Sequence, residues 1–199
     1  MDRLSVSRET LARLEDYRLL LAKWAPRINL VGSSTVDRFW DRHVLDSAQL
    51  VAFAGPSALR WVDVGTGAGF PGLVIAALLA GKPGAHVALV EPSQKRCAFL
   101  REAARLLAAP VTIHDCKIEA VTPDRRDVFT ARAFAPLARL LPDAAPWIEL
   151  GARLVLLKGE DLQSEAAEAS TAWRFGTMVA PSQSDPRGCI VEIKDLTRV

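Results

Sequence analysis

The feature that most constrains this chain is a series of short apolar runs separated by helix-length spacers. The runs are Trp61-Val62-Asp63-Val64, His86-Val87-Ala88-Leu89-Val90, Val111-Thr112-Ile113, Val128-Phe129-Thr130-Ala131 and Leu154-Val155-Leu156-Leu157. Parallel strands need connections of a dozen or more residues, most often a helix, so the pattern predicts a βαβ series with a mostly parallel sheet. The spacers agree. Pro71 to Ala80 follows a glycine turn, Ser93 stands as a cap for Gln94 to Ala108, and Pro136 opens a segment reaching about Leu150. Near the end, Thr177 to Ala180 and Cys189 to Lys194 flank the turn-rich stretch from Pro181 to Gly188, which predicts an antiparallel hairpin on the sheet edge.

Ahead of this series the period is helical. From Ser7 onward Leu11, Leu14, Tyr17, Leu21, Trp24 and Ile28 mark one face of an amphipathic helix interrupted at Pro26. A second helix is expected to follow, capped by Ser34 or Thr35, with Val36, Trp40, Val44, Ser47 and Val51 on its buried side and its end at Gly55-Pro56. The expected organisation is therefore a helical N-terminal extension over 1–58 and an α/β domain over 59–199.

Composition narrows the classes. Half of the 199 residues are hydrophobic and 24% are charged, enough apolar material for a sizeable core. Cys97, Cys116 and Cys189 show no paired spacing for a zinc site or a disulfide framework, so no metal is expected and a cytoplasmic location is. Leu73 to Ala80, the most apolar stretch, is too short to cross a bilayer, and no membrane partner is expected. A net charge of +2 makes no demand for a polyanionic partner, so a basic surface has to come from local clustering.

The candidate site is Asp63-Val64-Gly65-Thr66-Gly67-Ala68-Gly69-Phe70-Pro71-Gly72, at the turn from the first strand to the first helix of the α/β part. In open α/β sheets ligands bind beyond the carboxyl ends of the strands, and glycines let backbone approach them closely. Dinucleotides, mononucleotides and S-adenosylmethionine all use such a turn. Asp63 bears on the choice, because a carboxylate there repels a pyrophosphate and favours the ammonium of a methionine moiety; its other reading is a carboxylate at a helix N-terminus. Glu91 ends the second strand, where an acid accepts hydrogen bonds from both ribose hydroxyls, in a nicotinamide enzyme as well. The chain lacks a Gly-Lys-Ser/Thr phosphate loop, an Asn/Asp-Pro-Pro-aromatic run for amino methylation, and a cysteine after the fourth strand for carbon-5 methylation of pyrimidines.

Taken together, the motifs resemble one family, the bacterial small-subunit ribosomal RNA guanine-N7 methyltransferases called RsmG or GidB. The resemblance runs from about Asn29 to Lys194 and rests on Asn29-Leu30-Val31-Gly32, Arg42-His43-Val44-Leu45-Asp46-Ser47, the glycine loop, Glu91 with Lys95-Arg96 and Phe99-Leu100, Ile118-Glu119, Arg132-Ala133-Phe134-Ala135-Pro136-Leu137 and Leu157-Lys158-Gly159. It departs from the family pattern at Lys117, where arginine is expected, and at Gly188, where a histidine often follows the arginine. The resemblance implies a class I S-adenosylmethionine methyltransferase, Rossmann-like, acting on a guanine in the 530 loop of 16S ribosomal RNA. It also implies that Gly65 and Phe70 contact S-adenosyl-L-methionine, that Ile118 and Glu119 flank its adenine, and that Arg132 closes the site. With Asp63, Gly67, Gly69 and Glu91 these are the expected cofactor-binding residues.

Guanine N7 carries a free lone pair and no proton, so its methylation needs placement rather than a general base. Arg132, after the fourth strand, is the expected catalytic residue, holding a phosphate or O6; a structural salt bridge at a strand end is its other reading. Arg42, His43 and Lys158 are expected substrate contacts. His43 equally fits a helix-packing histidine, and Lys158 a solvated loop lysine. Lys95, Arg96, Arg101 and Arg105 with Arg125-Arg126 form either an RNA-facing stripe or a solvated helix face, of which the solvated face is favoured for the first four. The expected partner is 16S rRNA or the small ribosomal subunit, approached by a monomer. Competing readings are a methyltransferase of a small molecule or protein, and a nucleotide- or RNA-binding module without catalysis.

Overall fold

The computed structural model describes residues 6–28, 30 and 37–199. The chain opens with α1 (Arg8–Trp24), capped by Ser7, whose hydroxyl accepts from the Thr10 amide at 3.0 Å. A π-helical turn (Trp40–Leu45) runs directly into α2 (Asp46–Ala54). There follow β1 (Arg60–Val64), α3 (Gly72–Leu79), β2 (His86–Val90), α4 (Gln94–Leu107), β3 (Val111–His114), a 3-10 turn (Ile118–Ala120), β4 (Val128–Ala131), α5 (Leu137–Glu149), β5 (Arg153–Lys158) and α6 (Leu162–Ala169). Two long strands, β6 (Trp173–Pro181) and β7 (Cys189–Arg198), close the chain.

The sheet order is β3-β2-β1-β4-β5-β7-β6. The first five strands in that order are parallel; β7 runs antiparallel between β5 and β6. Chain order reverses at β1, which pairs β2 on one side and β4 on the other, so the crevice for a ligand opens beyond the carboxyl ends of those strands. The fold is the expected α/β architecture, mostly parallel, with a C-terminal antiparallel hairpin and helices ahead of it.

Alternation along β1 splits the core into two layers. Trp61 packs with α1, α2, α3 and α4, while Val62 and Val64 pack with α5 and α6 on the opposite face. The layer under Trp61 takes in Leu14, Tyr17 and Leu21 of α1 without a break, so the N-terminal helix shares a core with the sheet. Burying Leu14 and Leu21 completely contributes about 1.5–3 kcal/mol each, which fastens α1 over α4. In the other layer α5 stays helical despite Pro142 and Pro146, because Leu137, Leu140, Leu141, Ala144 and Trp147 are all buried on one side of it.

The second N-terminal helix differs from expectation. The anticipated caps Ser34 and Thr35, and Val36, lie outside the described residues, as do Asn29, Val31 and Gly32. Trp40, expected inside, is 38% exposed, and Val44 is half-buried. The extra residue of a π-helical turn rotates the face there, bringing His43 and Asp46 inward, while Ser47 and Val51 are buried as expected, together with Gln49, Leu50 and Ala54. Helix α6 was not anticipated: Leu162 to Ala169 buries only Ala169 and so carries little apolar period.

Candidate active site

The glycine loop leaves β1 with its backbone still bonded to β2: the amides of Gly65 and Thr66 donate to the Val90 carbonyl at 2.9 and 3.3 Å. Gly65, Gly67 and Gly69 take φ values of +66, +58 and +93°, which side-chain-bearing residues rarely adopt. They differ in what surrounds them. A Cβ at Gly69 would strike Leu73 and Tyr17, and one at Gly65 would strike the Phe134 ring, whereas one at Gly67 meets nothing nearer than the Gly65 carbonyl at 3.8 Å. Gly69 therefore makes room for packing, and Gly67 faces open space suited to a ligand.

Asp63 is completely buried. Its Oδ2 accepts from the Thr66 hydroxyl at 2.5 Å and from the Gly72 amide at 2.8 Å, so it ties the loop to the first turn of α3. The helix N-terminal reading of this carboxylate is thus the arrangement found. Oδ1 is buried with no hydrogen-bond partner among the described residues, and burial pushes the pKa up to about 7. Glu91 sits at the end of β2, as expected. Its Oε2 accepts from the Gly67 amide at 3.0 Å and its Oε1 from the Ser93 amide at 2.9 Å, which fixes the carboxylate beside the loop with lone pairs to spare. Arg96 lies 3.6 Å from it. Ile118 and Glu119 fall on the 3-10 turn after β3, Ile118 buried and Glu119 exposed.

Beyond β4 and β5 lies a cavity of about 630 Å³, lined among others by Arg42, His43, Asp46, Arg132, Phe134 and Lys158. The structure thus gathers all four expected catalytic and substrate residues in one place. Arg132 follows β4, donates to the Arg42 carbonyl at 2.8 Å, stands 3.8 Å from Asp46, and lies over the Phe70 ring at 5.2 Å from its centroid. Its side chain is only 21% exposed, and Asp46 gives it the ion pair that its structural reading expects. Phe70, itself buried, stacks on His43 with ring centroids 4.1 Å apart and planes 9° from parallel, and so links the loop to the cavity.

His43 takes the packing arrangement, with its ring nitrogens unspent. It is buried against Phe70 like a packing histidine, yet neither ring nitrogen reaches a hydrogen-bond partner among the described residues. Burial and then the charges of Arg132 and Arg42 lower its pKa to about 3, so the ring is neutral. Lys158 is not a solvated lysine: its Nζ donates to Glu165 Oε2 at 2.6 Å and to the Ala135 carbonyl at 3.0 Å. Arg42 pairs with Asp185 and Asp46 accepts from the Ser184 hydroxyl, docking the β6–β7 turn onto the start of α2. Arg126, offered as part of an RNA-facing stripe, is instead buried, bonded to Asp124 at 2.7 Å and His86 at 2.8 Å. Arg101 reaches Asp115 at 2.9 Å.

Several residues of the site went unnoticed in the sequence. Tyr17 donates from its buried hydroxyl to the Ala68 carbonyl, so α1 braces the glycine loop. A tyrosine on an apolar helix face signals a polar partner somewhere, but not which. Thr66 and Glu165 support Asp63 and Lys158, and Ser184 and Asp185 arrive from a turn more than 130 residues away, with no local signal.

The sequence pattern of the family described as "GidB: rRNA small subunit methyltransferase G" matches residues 10–184. The chain belongs to this GidB family. It is 48% identical over 194 residues to the ribosomal RNA small subunit methyltransferase G of Parvibaculum lavamentivorans, covering 96% of this chain and 86% of that protein. It is 48% identical over 191 residues to the protein of the same name from Caulobacter vibrioides, covering 94% and 88%. Among solved structures, the ribosomal protein L11 methylase of Lactobacillus delbrueckii aligns with a TM-score of 0.56 at 18% identity, over 76% of each chain. Magnesium protoporphyrin IX methyltransferase of Synechocystis, solved with bound SAM, aligns with 0.55 at 16% identity, over 96% of this chain and 99% of that one. Those likenesses show the class I methyltransferase fold. As a member of the GidB family the chain is an S-adenosylmethionine-dependent methyltransferase of small-subunit ribosomal RNA, which sets aside the small-molecule, protein and non-catalytic readings. Among the described residues no helix is long and apolar enough to cross a membrane, and no group of His, Cys, Asp or Glu is placed to hold a metal ion.

Proposed function

We infer that the cleft transfers the methyl group of S-adenosylmethionine to N7 of a guanine in the 530 loop of 16S ribosomal RNA. The observation that carries this reading is the state of the cavity's acid-base groups. Of its carboxylates, Asp46 is bonded to Ser184, Asp185 to Arg42 and Glu165 to Lys158, and His43 is held neutral with a pKa of about 3. Burial raises the pKa of Asp46, but each of these carboxylates is already engaged by a partner, an arrangement that suits a nucleophile with no proton to remove.

The residues fit the cofactor at the loop. Gly67 leaves open space above the backbone and Glu91 presents a fixed carboxylate from the end of β2. Bound there, S-adenosylmethionine supplies a methyl group activated by a positive sulfur. Glu91 would accept from the ribose hydroxyls, Ile118 and Glu119 would flank the adenine, and Gly65, Gly67 and Phe70 would shape the floor, with Gly69 seating the loop on Leu73 and Tyr17. Asp63, whose carboxyl burial holds partly protonated near neutrality, would be drawn to its charged form by an ammonium bound above the loop. Arg132, resting on Phe70, holds O6 or a flanking phosphate so that the lone pair of N7 points along the line of transfer; Arg42, His43 and Lys158 complete the wall. The enzyme acts in the cytoplasm, as a monomer, on 16S rRNA or the small subunit. Incubating unmodified small subunits with methyl-labelled cofactor and mapping the labelled base tests this; a label on another base, or on an exocyclic amine, overturns it.

A further inference from the structure

We propose that the exposed ring of Phe134 is the platform on which the target purine stacks, an assignment that rests on the reaction inferred above. Three observations place the ring there. Ala133 takes a left-handed φ of +50°, an uncommon conformation for a residue with a side chain, between Arg132 just after β4 and Phe134. The Phe134 ring lies flush against Gly65, so close that a Cβ on that glycine would collide with it, and the same residue lines the cavity with Arg132 and His43. The ring thus sits on the border between the glycine loop and the cavity. It also belongs to neither apolar layer and is 37% exposed, so core packing does not account for it.

The chemistry asks for a group of this kind at this place. The N7 lone pair lies in the plane of the purine, so the base must present that edge to the methyl carbon, and its faces are left fully open for the protein to grip. An aromatic ring against one face fixes the direction of the edge without covering it. Bases in unpaired RNA are bound in this way, splayed out and stacked on aromatic side chains. The positive charge that moves onto the purine during transfer is also favoured by the electron-rich face of a neighbouring ring. Phe134 and Arg132 then act together, the ring holding the face and the guanidinium the edge or phosphate.

The test uses the full chain, unmodified small subunits, and Phe134→Leu and Phe134→Tyr beside the wild type. Wild-type methylation of guanine N7 is established first; its failure overturns the inferred reaction and not the placement of the ring. Given that activity, Phe134→Leu is expected to lower the single-turnover rate at saturating cofactor by about ten- to a hundred-fold, the range that base stacking on an aromatic side chain supports. Its melting temperature and cofactor affinity should match the wild type, and Phe134→Tyr should keep most of the rate. Full activity of Phe134→Leu overturns the proposal. So does a rate loss that tracks cofactor affinity, which assigns the ring to the cofactor, or one that tracks melting temperature across both variants, which assigns it to the fold.

Discussion

The two halves of the cleft are built in opposite ways. Around the glycine loop, apart from the Tyr17 brace 51 residues away, the supporting bonds are short in sequence and made largely with backbone: Asp63 to Thr66 and Gly72, Glu91 to Ser93 and Gly67, with separations of 3, 9, 2 and 24 residues. Around the cavity, apart from Lys158 to Glu165 seven residues on, they are long-range and made by charged groups. Arg42 to Asp185 spans 143 residues, Asp46 to Ser184 spans 138, and Arg132 to the Arg42 carbonyl spans 90. The difference teaches what each half tolerates. The loop is sensitive to any added atom, whereas the cavity wall is sensitive to any lost charge, because removing one partner leaves the other half-buried and unpaired.

The largest effect is expected at Gly67. At Gly67→Val the added Cβ meets nothing nearer than 3.8 Å and the left-handed backbone costs about 1–2 kcal/mol, so the protein should fold while cofactor affinity falls by about 100-fold or more. Calorimetry beside thermal melting checks it; unchanged affinity in a folded variant removes the loop from the cofactor site. On the cavity side, Arg132→Ala should cut single-turnover methylation by about 100-fold and cost about 1–3 kcal/mol of stability, since its bond to the Arg42 carbonyl and its place over Phe70 are both lost. A destabilised variant whose folded fraction keeps full specific activity makes Arg132 a structural residue and breaks the proposed division.

Glu91→Ala should weaken cofactor binding by about 1.5–3 kcal/mol, through the loss of an ionised acceptor. The melting temperature should also fall, because the Gly67 and Ser93 amides lose their acceptor. Equal affinities for variant and wild type exclude Glu91 as the ribose ligand.

How much of this was legible follows from the same contrast. The five parallel strands, the Ser93 cap, Asp63 and Glu91 announce themselves because their partners lie nearby in the chain, where period and turn chemistry operate. The inward rotation of His43 and Asp46 was hidden, because a π-helical turn is set by what the helix packs on and not by its own residue pattern. Arg132 and Lys158 are legible from their places after the fourth and fifth strands, and Arg42 and His43 from the resemblance, but their pairings with Asp46, Glu165, Asp185 and Phe70 are not. Nothing local connects residues 42 and 185. The burial of Arg126 was missed for the same reason, since His86 and Asp124 meet it only in the folded sheet.

The smallest expected effects are slopes of stability against pH, and the two halves should give opposite signs. His43 has its pKa lowered to about 3 from an ordinary 6.5, so the unfolded chain takes up a proton that the folded one refuses. Its contribution is fully present above about pH 6.5 and is lost as pH falls toward 3. Asp63 has its pKa raised to about 7 from 3.8, so its contribution is present below about pH 4 and is lost as pH rises toward 7. Urea midpoints measured at pH 5 and pH 8 should show His43→Phe gaining relative to wild type at the lower pH and Asp63→Asn gaining at the higher one. Identical pH slopes for wild type and both variants contradict the burial of these charges.

The central claim is that the cleft places an in-plane lone pair at N7 and removes no proton. Its most direct test is methyl transfer to small subunits reconstituted with 16S rRNA in which 7-deazaguanine, bearing C–H in place of N7, replaces the target guanine. The account predicts that the modified particle competes for the enzyme as well as the natural one and accepts no methyl group at that base. Methylation of the 7-deaza base, at an exocyclic amine or any other atom, would contradict it.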